Sequence, residues 1–204
     1  EVVSPRFTAA YSVEAPDRSD RQIQRMVALV QMTFVGAPMV YYGTESGMWG
    51  ADDPCNRQAM VWPDLEYDPQ TEDPRNRERS EDDVEFDHEL HDFYKNVIQL
   101  RHDHPVLRNG EFEVVSFDDD AMFIAFRRFS NEEEVLVAIN RSDNPYEFSF
   151  DAEAGSRWST IFAASGESET IAVAEDGDQR AVSIPAFEAV VLKDLAGAES
   201  QSPE

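Results

Sequence analysis

The chain has 204 residues, 41% hydrophobic and 11% aromatic, enough to bury a core and to exclude wholesale disorder. Its 42 acidic residues against 17 basic ones give a formal charge of −25, which excludes nucleic acid and anionic membrane as favoured partners. No apolar run is long enough to span a bilayer, and a single cysteine, Cys55, rules out an internal disulfide and a cysteine zinc site.

Taken in order, Phe7 to Val13 reads as a short strand or an irregular loop. Ser19-Asp20-Arg21-Gln22 has the form of a capping box, with Ser19 as N-cap and Gln22 reaching back. Behind it Ile23, Met26, Val27, Val30 and Phe34 recur at helical spacing, which predicts a helix of about four turns ended by Gly36 and Pro38. The short apolar run Met39 to Tyr42 lies between Pro38 and Gly43. Its length and punctuation predict a buried strand of a parallel sheet. The loop that follows carries Trp49, Asp52, Asp53, Asn56, Arg57 and Trp62. A buried strand feeding such a loop is how the C-terminal face of a β/α barrel builds a site.

Residues 63 to 86 are rich in Pro, Asp, Glu and Arg and read as a long, mobile surface loop. From Asp87, the positions Leu90, Phe93, Tyr94, Val97 and Ile98 predict a second amphipathic helix that runs to His102 and stops before Pro105. After Gly110 the period changes to two. Strands are expected at Phe112–Val114, Met122–Phe129, Val135–Ile139, Tyr146–Phe150, Trp158–Phe162, Val182–Ile184 and Ala189–Leu192. Turn signals separate them at Asp118 to Asp120, Ser130-Asn131, Asn140 to Pro145 and Glu175 to Asp178. Short strands at this spacing predict an antiparallel sandwich.

The motif Gly36-x-Pro38-x-Val40-Tyr41-Tyr42-Gly43-x-Glu45-x-Gly47-Met48 resembles the eighth-strand motif of the α-amylase family of glycoside hydrolases. Its continuation, Asp52-Asp53-Pro54-x-x-Arg57-x-x-Met60-x-Trp62, is similar to the cyclomaltodextrinase, neopullulanase and maltogenic-amylase branch. Thr44 stands where relatives often carry Asp, and the His-Asp pair of the seventh strand is absent, since no His precedes His88. The resemblance implies an α/β plus all-β fold. Residues 1–107 would be the last β/α units of a TIM-type barrel: helix 7, strand 8, the substrate loop and helix 8. Residues 108–204 would be an antiparallel β-sandwich C-terminal domain.

By the same resemblance the parent protein is a retaining hydrolase acting on α-1,4-glucans or cyclodextrins. Such hydrolysis needs two carboxyl groups across one glycosidic bond. The family's catalytic carboxylates lie upstream of these motifs, so no catalytic residue is assigned here and this chain alone is expected to be inactive. Asp53 and Arg57, four apart in the loop, can accept from and donate to sugar hydroxyls, and matching positions in that branch contact the bound glucan. Trp49 and Trp62 can stack on a sugar face. Glu45 and Tyr42 are expected near the active site in structural roles, Glu45 paired with an arginine. The other reading is a non-catalytic sandwich that binds carbohydrate or another protein.

No metal or cofactor is expected. His88 and His91 lack a His-Glu-x-x-His motif, and Asp52-Asp53 is not followed by a calcium-binding loop. Cys55 sits among acids that disfavour a thiolate. Acid is spread along the whole chain, and Lys95 and Lys193 are the only lysines. That pattern reads as adaptation to high salt, which screens self-repulsion. The expected partners are an α-glucan or cyclodextrin, the remainder of the barrel and a second copy of the chain. The first residues lack a basic start and an apolar stretch, so no signal peptide is expected and a cytoplasmic location is.

Overall fold

The computed structural model describes residues 11–50, 53, 55–73, 76–153, 155–166, 173–176 and 178–195. In chain order these form α1 (Arg18–Thr33), a one-turn 3-10 helix (Thr44–Ser46), β1 (Gln70–Glu72), β2 (Glu78–Asp82), α2 (His88–Asp103) and α3 (Val106–Asn109). Eight strands follow: β3 (Glu111–Asp118), β4 (Phe123–Phe129), β5 (Glu134–Asn140), β6 (Tyr146–Asp151), β7 (Trp158–Ala163), β8 (Val173–Asp176), β9 (Gln179–Ile184) and β10 (Glu188–Asp194). The chain divides into two compact units. One is Glu1–Arg21 with Met39–Lys95, the other Gln22–Pro38 with Asn96–Glu204.

Both long helices stand where the apolar spacing puts them, but the first is capped differently. Asp17, not Ser19, is its N-cap: Oδ1 accepts from Ser19 N at 2.7 Å and Asp20 N at 2.9 Å, and Asp20 Oδ2 accepts from Asp17 N at 3.1 Å. The box is therefore Asp17-x-x-Asp20, two residues earlier than the Ser19 box, because a carboxylate accepts more strongly than a hydroxyl at the positive helix end. These bonds hold the Asp17 carboxyl below its ordinary value. Gln22 instead donates to the Phe187 carbonyl at 3.0 Å. On α2, Asp87 caps by accepting from Leu90 N at 2.8 Å. Leu90, Phe93, Tyr94, Val97 and Leu100 are its buried stripe.

The second unit holds the sandwich. One sheet has the order β3-β4-β5-β10-β7, the other β6-β9-β8, and every pairing is antiparallel. Period-two alternation decides the inner faces. Phe123, Ala125, Leu136, Ala138, Val190 and Leu192 face Phe148, Phe150, Val182 and Ile184. Leu136 lies opposite Leu192 and Ala138 opposite Val190, so small and large side chains alternate across β5 and β10. On the other face of the larger sheet, Phe34 packs edge-on against Phe112 and Phe126, with centroids 5.0 and 5.7 Å away. The predicted strands all occur. One strand was not expected: β8, which takes in Glu175 and Asp176, two residues read as turn signals. As an edge strand paired with β9 alone, it tolerates polar residues.

Two expectations for the first unit need correction. Met39–Tyr42 is not a strand but an irregular segment that enters a turn at Tyr42, and its side chains are not buried: Met39 is 74% exposed, and Tyr41 and Tyr42 are also exposed. A central parallel strand exists only by pairing on both sides, and the described residues contain no parallel strand pair and no barrel. The loop expected over residues 63–86 contains the β1–β2 hairpin. Polar contacts build it. Asp73, though buried, pairs with Arg77, and Arg79 pairs with Asp82.

A half-buried polar knot in the second unit ties the α2–α3 junction to the sheet. Glu133 Oε1 accepts from Lys193 Nζ at 2.7 Å and lies 2.6 Å from His104 Nδ1. Burial alone would raise the Glu133 carboxyl, but these two partners outweigh it and hold it below its ordinary value. A depressed carboxyl contributes stability that is complete above its unfolded value of about 4.3 and is lost as pH falls through the folded value. Glu133→Gln is therefore expected to be less stable than the parent at neutral pH, with the difference shrinking in acid. Urea unfolding of both proteins across that range checks this, and a pH-independent difference would contradict it.

Candidate functional site

The loop that follows Tyr42 is shaped by two glycines. Gly43 and Gly47 have φ of 79° and 83° and bracket the 3-10 turn Thr44–Ser46. A side chain at Gly47 would also collide with Asp87. Ser46 Oγ donates to the Gly43 carbonyl at 3.0 Å, and Asp87 N donates to the Ser46 carbonyl at 3.0 Å. Arg21 Nη2 donates to the Gly47 carbonyl at 2.5 Å, so the turn is fixed from both sides.

Each residue singled out in the sequence has a definite place. Asp53 Oδ1 and Arg57 Nε are 3.3 Å apart, with side chains 57% and 67% exposed. The Tyr41 hydroxyl, then the Asp53 carboxylate, push the Arg57 guanidinium above its ordinary value. The Tyr41 and Tyr42 rings are 4.7 Å apart, and the Tyr42 hydroxyl donates to the Gln58 carbonyl at 2.9 Å. Trp49 is half-buried rather than an open platform, and its Nε1 is buried with no hydrogen-bond partner among the described residues. Trp62 is the more exposed indole, at 52%. Glu45 is half-buried, and its Oε2 has no hydrogen-bond partner among the described residues, so the arginine expected beside that oxygen is not seen. Asp52 and Pro54 lie outside the described residues.

Cys55 is buried. Burial and the Asp73 carboxylate push its thiol up, which removes it further from nucleophilic use. The His88 and His91 rings pack at a tilt against Phe86, at centroid distances of 4.9 and 5.1 Å. Among the described residues no group of three or more His, Cys, Asp or Glu side chains could hold a metal ion. Sequence reasoning missed Gln58, whose side chain donates to the Trp49 and Cys55 carbonyls at 3.0 and 3.2 Å and accepts from Gln70 at 2.7 Å. No spacing signals such a role, because its partners are main-chain atoms and a residue twelve positions on.

The arrangement can offer a carboxylate, a guanidinium and exposed aromatic faces to a polyhydroxylated ligand. Residues 114–194 match the family model for the α-amylase C-terminal all-β domain. The chain is related to the α-amylase family of glycoside hydrolases. It is 31% identical over 134 residues to a cyclomaltodextrinase of Geobacillus thermopakistaniensis (strain MAS1), covering 66% of this chain and 20% of that protein. To neopullulanase 2 of Thermoactinomyces vulgaris it is 35% identical over 116 residues, covering 57% of this chain and 17% of the relative. Among solved structures it superposes on an α-amylase from H. orenii with a TM-score of 0.62 and 25% identity, covering 87% of this chain and 36% of that one. The chain thus spans about a fifth of the length of the curated relatives it matches.

Proposed function

We propose that this chain is the C-terminal part of an α-amylase-family hydrolase acting on α-1,4-linked glucans or cyclodextrins. In this reading it contributes glucan contacts and no catalytic carboxylate. The observation that carries it is the Met39–Tyr42 segment, an apolar run that belongs to none of the strands described and is open to solvent. Exposing such a run costs free energy, and a neighbouring parallel strand is what would bury it. The relatives' greater length supports a partner of that kind within one polypeptide. Residues 1–107 would then be the closing units of the barrel, with the sandwich beyond.

Asp53 and Arg57 support the contact role. So exposed an ion pair rigidifies a loop only weakly. Both groups are left free to meet sugar hydroxyls, with Trp49 and the exposed Trp62 beside them in sequence. Glu45 and Tyr42 serve the loop structurally. The acidic surface would suit the protein to high salt.

The test uses the purified chain with maltooligosaccharides and β-cyclodextrin. No reducing sugar should be released. Weak glucan binding should be lost in Arg57→Ala, a cost of about 1–3 kcal/mol for hydrogen bonds to a charged group. Turnover that Glu45→Gln abolishes would make Glu45 catalytic, and binding unchanged by Arg57→Ala would make the pair structural only.

A further inference from the structure

The β1–β2 hairpin is an unusual element to fold. Its strands, Gln70-Thr71-Glu72 and Glu78-Arg79-Ser80-Glu81-Asp82, contain no apolar residue. A two-stranded hairpin without an apolar face is marginal in water. Its register makes matters worse, because Glu72 lies directly opposite Glu78 and both are exposed. Like charges opposite each other across a ladder are destabilising. Glu81 is exposed on the same strand, and Asp83 and Glu85 just beyond it.

Against this repulsion stand two ion pairs with largely buried members. Asp73 pairs with Arg77, and its side chain is 5% exposed; Arg79, at 7%, pairs with Asp82. Dissolved salt screens exposed charges far more than buried ones. Raising the ionic strength should therefore remove the Glu72–Glu78 repulsion while leaving the two pairs largely intact. The net effect is to close the hairpin.

The hairpin is also wired to the candidate site. Arg79 Nη1 donates to Gln70 Oε1 at 3.0 Å, and Gln70 Nε2 donates to Gln58 Oε1 at 2.7 Å. Gln58 Nε2 then holds both the Trp49 and the Cys55 carbonyls, and the Gln58 carbonyl takes the Tyr42 hydroxyl. A single amide side chain thus pins the loop that carries Asp53 and Arg57, and its other end rests on the hairpin. All these groups lie within the first unit.

We propose that the β1–β2 hairpin is an ionic-strength-sensitive buttress of the Trp49–Trp62 loop, and that Gln58 is the positioning residue through which it acts. Monovalent cations such as potassium are the ligand class, acting as a screening atmosphere rather than at one bound site. The loop's purpose rests on the glucan-contact reading above; the coupling does not.

Hydrogen exchange measured by mass spectrometry in low and in molar KCl, with no glucan present, tests the coupling. In the parent chain, protection of the amides of residues 78–82 and of 55–61 should rise together with salt, by about tenfold or more, as expected for local rather than global opening. In Glu72→Gln/Glu78→Gln both segments should already be protected at low salt. In Gln70→Ala the hairpin should keep its salt response while the loop loses it, a decoupling that a general loss of stability would not produce. Amides of β5 report global unfolding. The proposal is overturned if the loop's response survives Gln70→Ala or if the hairpin's response survives neutralisation of both glutamates; a rise in β5 protection with salt measures the global stabilisation alone. A failed glucan titration would bear on the functional reading alone.

Discussion

Replacing Arg128 with leucine is expected to destabilise the sandwich unit by about 3–5 kcal/mol, since several buried carbonyls lose their donor at about 1–3 kcal/mol each. Arg128 is only 1% exposed, next to the end of β4. Its Nη1 donates to the carbonyls of Thr33 and Leu107, each at 2.8 Å. Nη2 donates to the Gly110 carbonyl at 2.9 Å, and Nε to that of Glu111 at 3.2 Å. Thr33 ends α1, and Leu107 and Gly110 belong to the turn of α3 and its exit. One guanidinium therefore caps the negative ends of two helices and fastens both to the sheet.

Burial disfavours its charge, and so does the neighbouring Arg101, so its affinity for a proton falls below the ordinary arginine value. The bonds to four carbonyls offset part of that cost. Leucine fills much of the volume but leaves those buried acceptors without donors. Lysine keeps the charge but not the planar fork, so Arg128→Lys should recover only part of the loss. Urea unfolding in molar KCl, followed by circular dichroism, measures both. A loss under about 1 kcal/mol for Arg128→Leu, the range of an ordinary surface change, would show that water serves those carbonyls equally well.

The second large effect is that of salt on the whole chain. The thermal midpoint is expected to rise by about 10 °C between low salt and molar KCl, since a few kcal/mol moves a chain of this length by about 2–4 °C each. The source is the charge of −25, with 17 bases to pair 42 acids. At low ionic strength those carboxylates repel one another across the folded surface more than in the expanded chain. The screening length falls from about 10 Å at 0.1 M salt to about 3 Å at 1 M, so only contacting charges then feel one another. A midpoint in molar KCl equal to or below that in low salt would refute adaptation to high salt. It would also remove the premise of the hairpin's salt response.

How much was legible beforehand depended on the kind of signal. The spacing of Ile23, Met26, Val27 and Val30 located α1, and the continuous apolar runs Val135–Ile139 and Ala189–Leu192 located the paired strands β5 and β10. These patterns are local and locate an element without its surroundings, but not which face it buries: α1 buries Met26, Ala28, Leu29 and Met32 and leaves Val27 exposed. Cap identity was less certain, because Asp17 and Ser19 are both good capping residues two positions apart, and only the structure shows the Ser19 amide and hydroxyl donating to Asp17 Oδ1. The hairpin was illegible because its stability comes from ion pairs rather than from an apolar face, so it leaves no periodicity to read.

The candidate site divides along the same line. Asp53 and Arg57 could be named in advance because a four-residue spacing brings them together with little help from the rest of the fold. Gln58 could not, since its role lies in which carbonyls surround it. The alternation of residues 112–192 by itself determined an antiparallel sandwich, because a strand with one apolar face must bury that face against another. Only the tertiary structure decided that Arg128 would be buried, since its four acceptors come from three separate elements and the turn between them. It alone decided that Met39–Tyr42 would stand exposed here, because an apolar run records a preference for burial, whereas burial itself requires neighbouring strands.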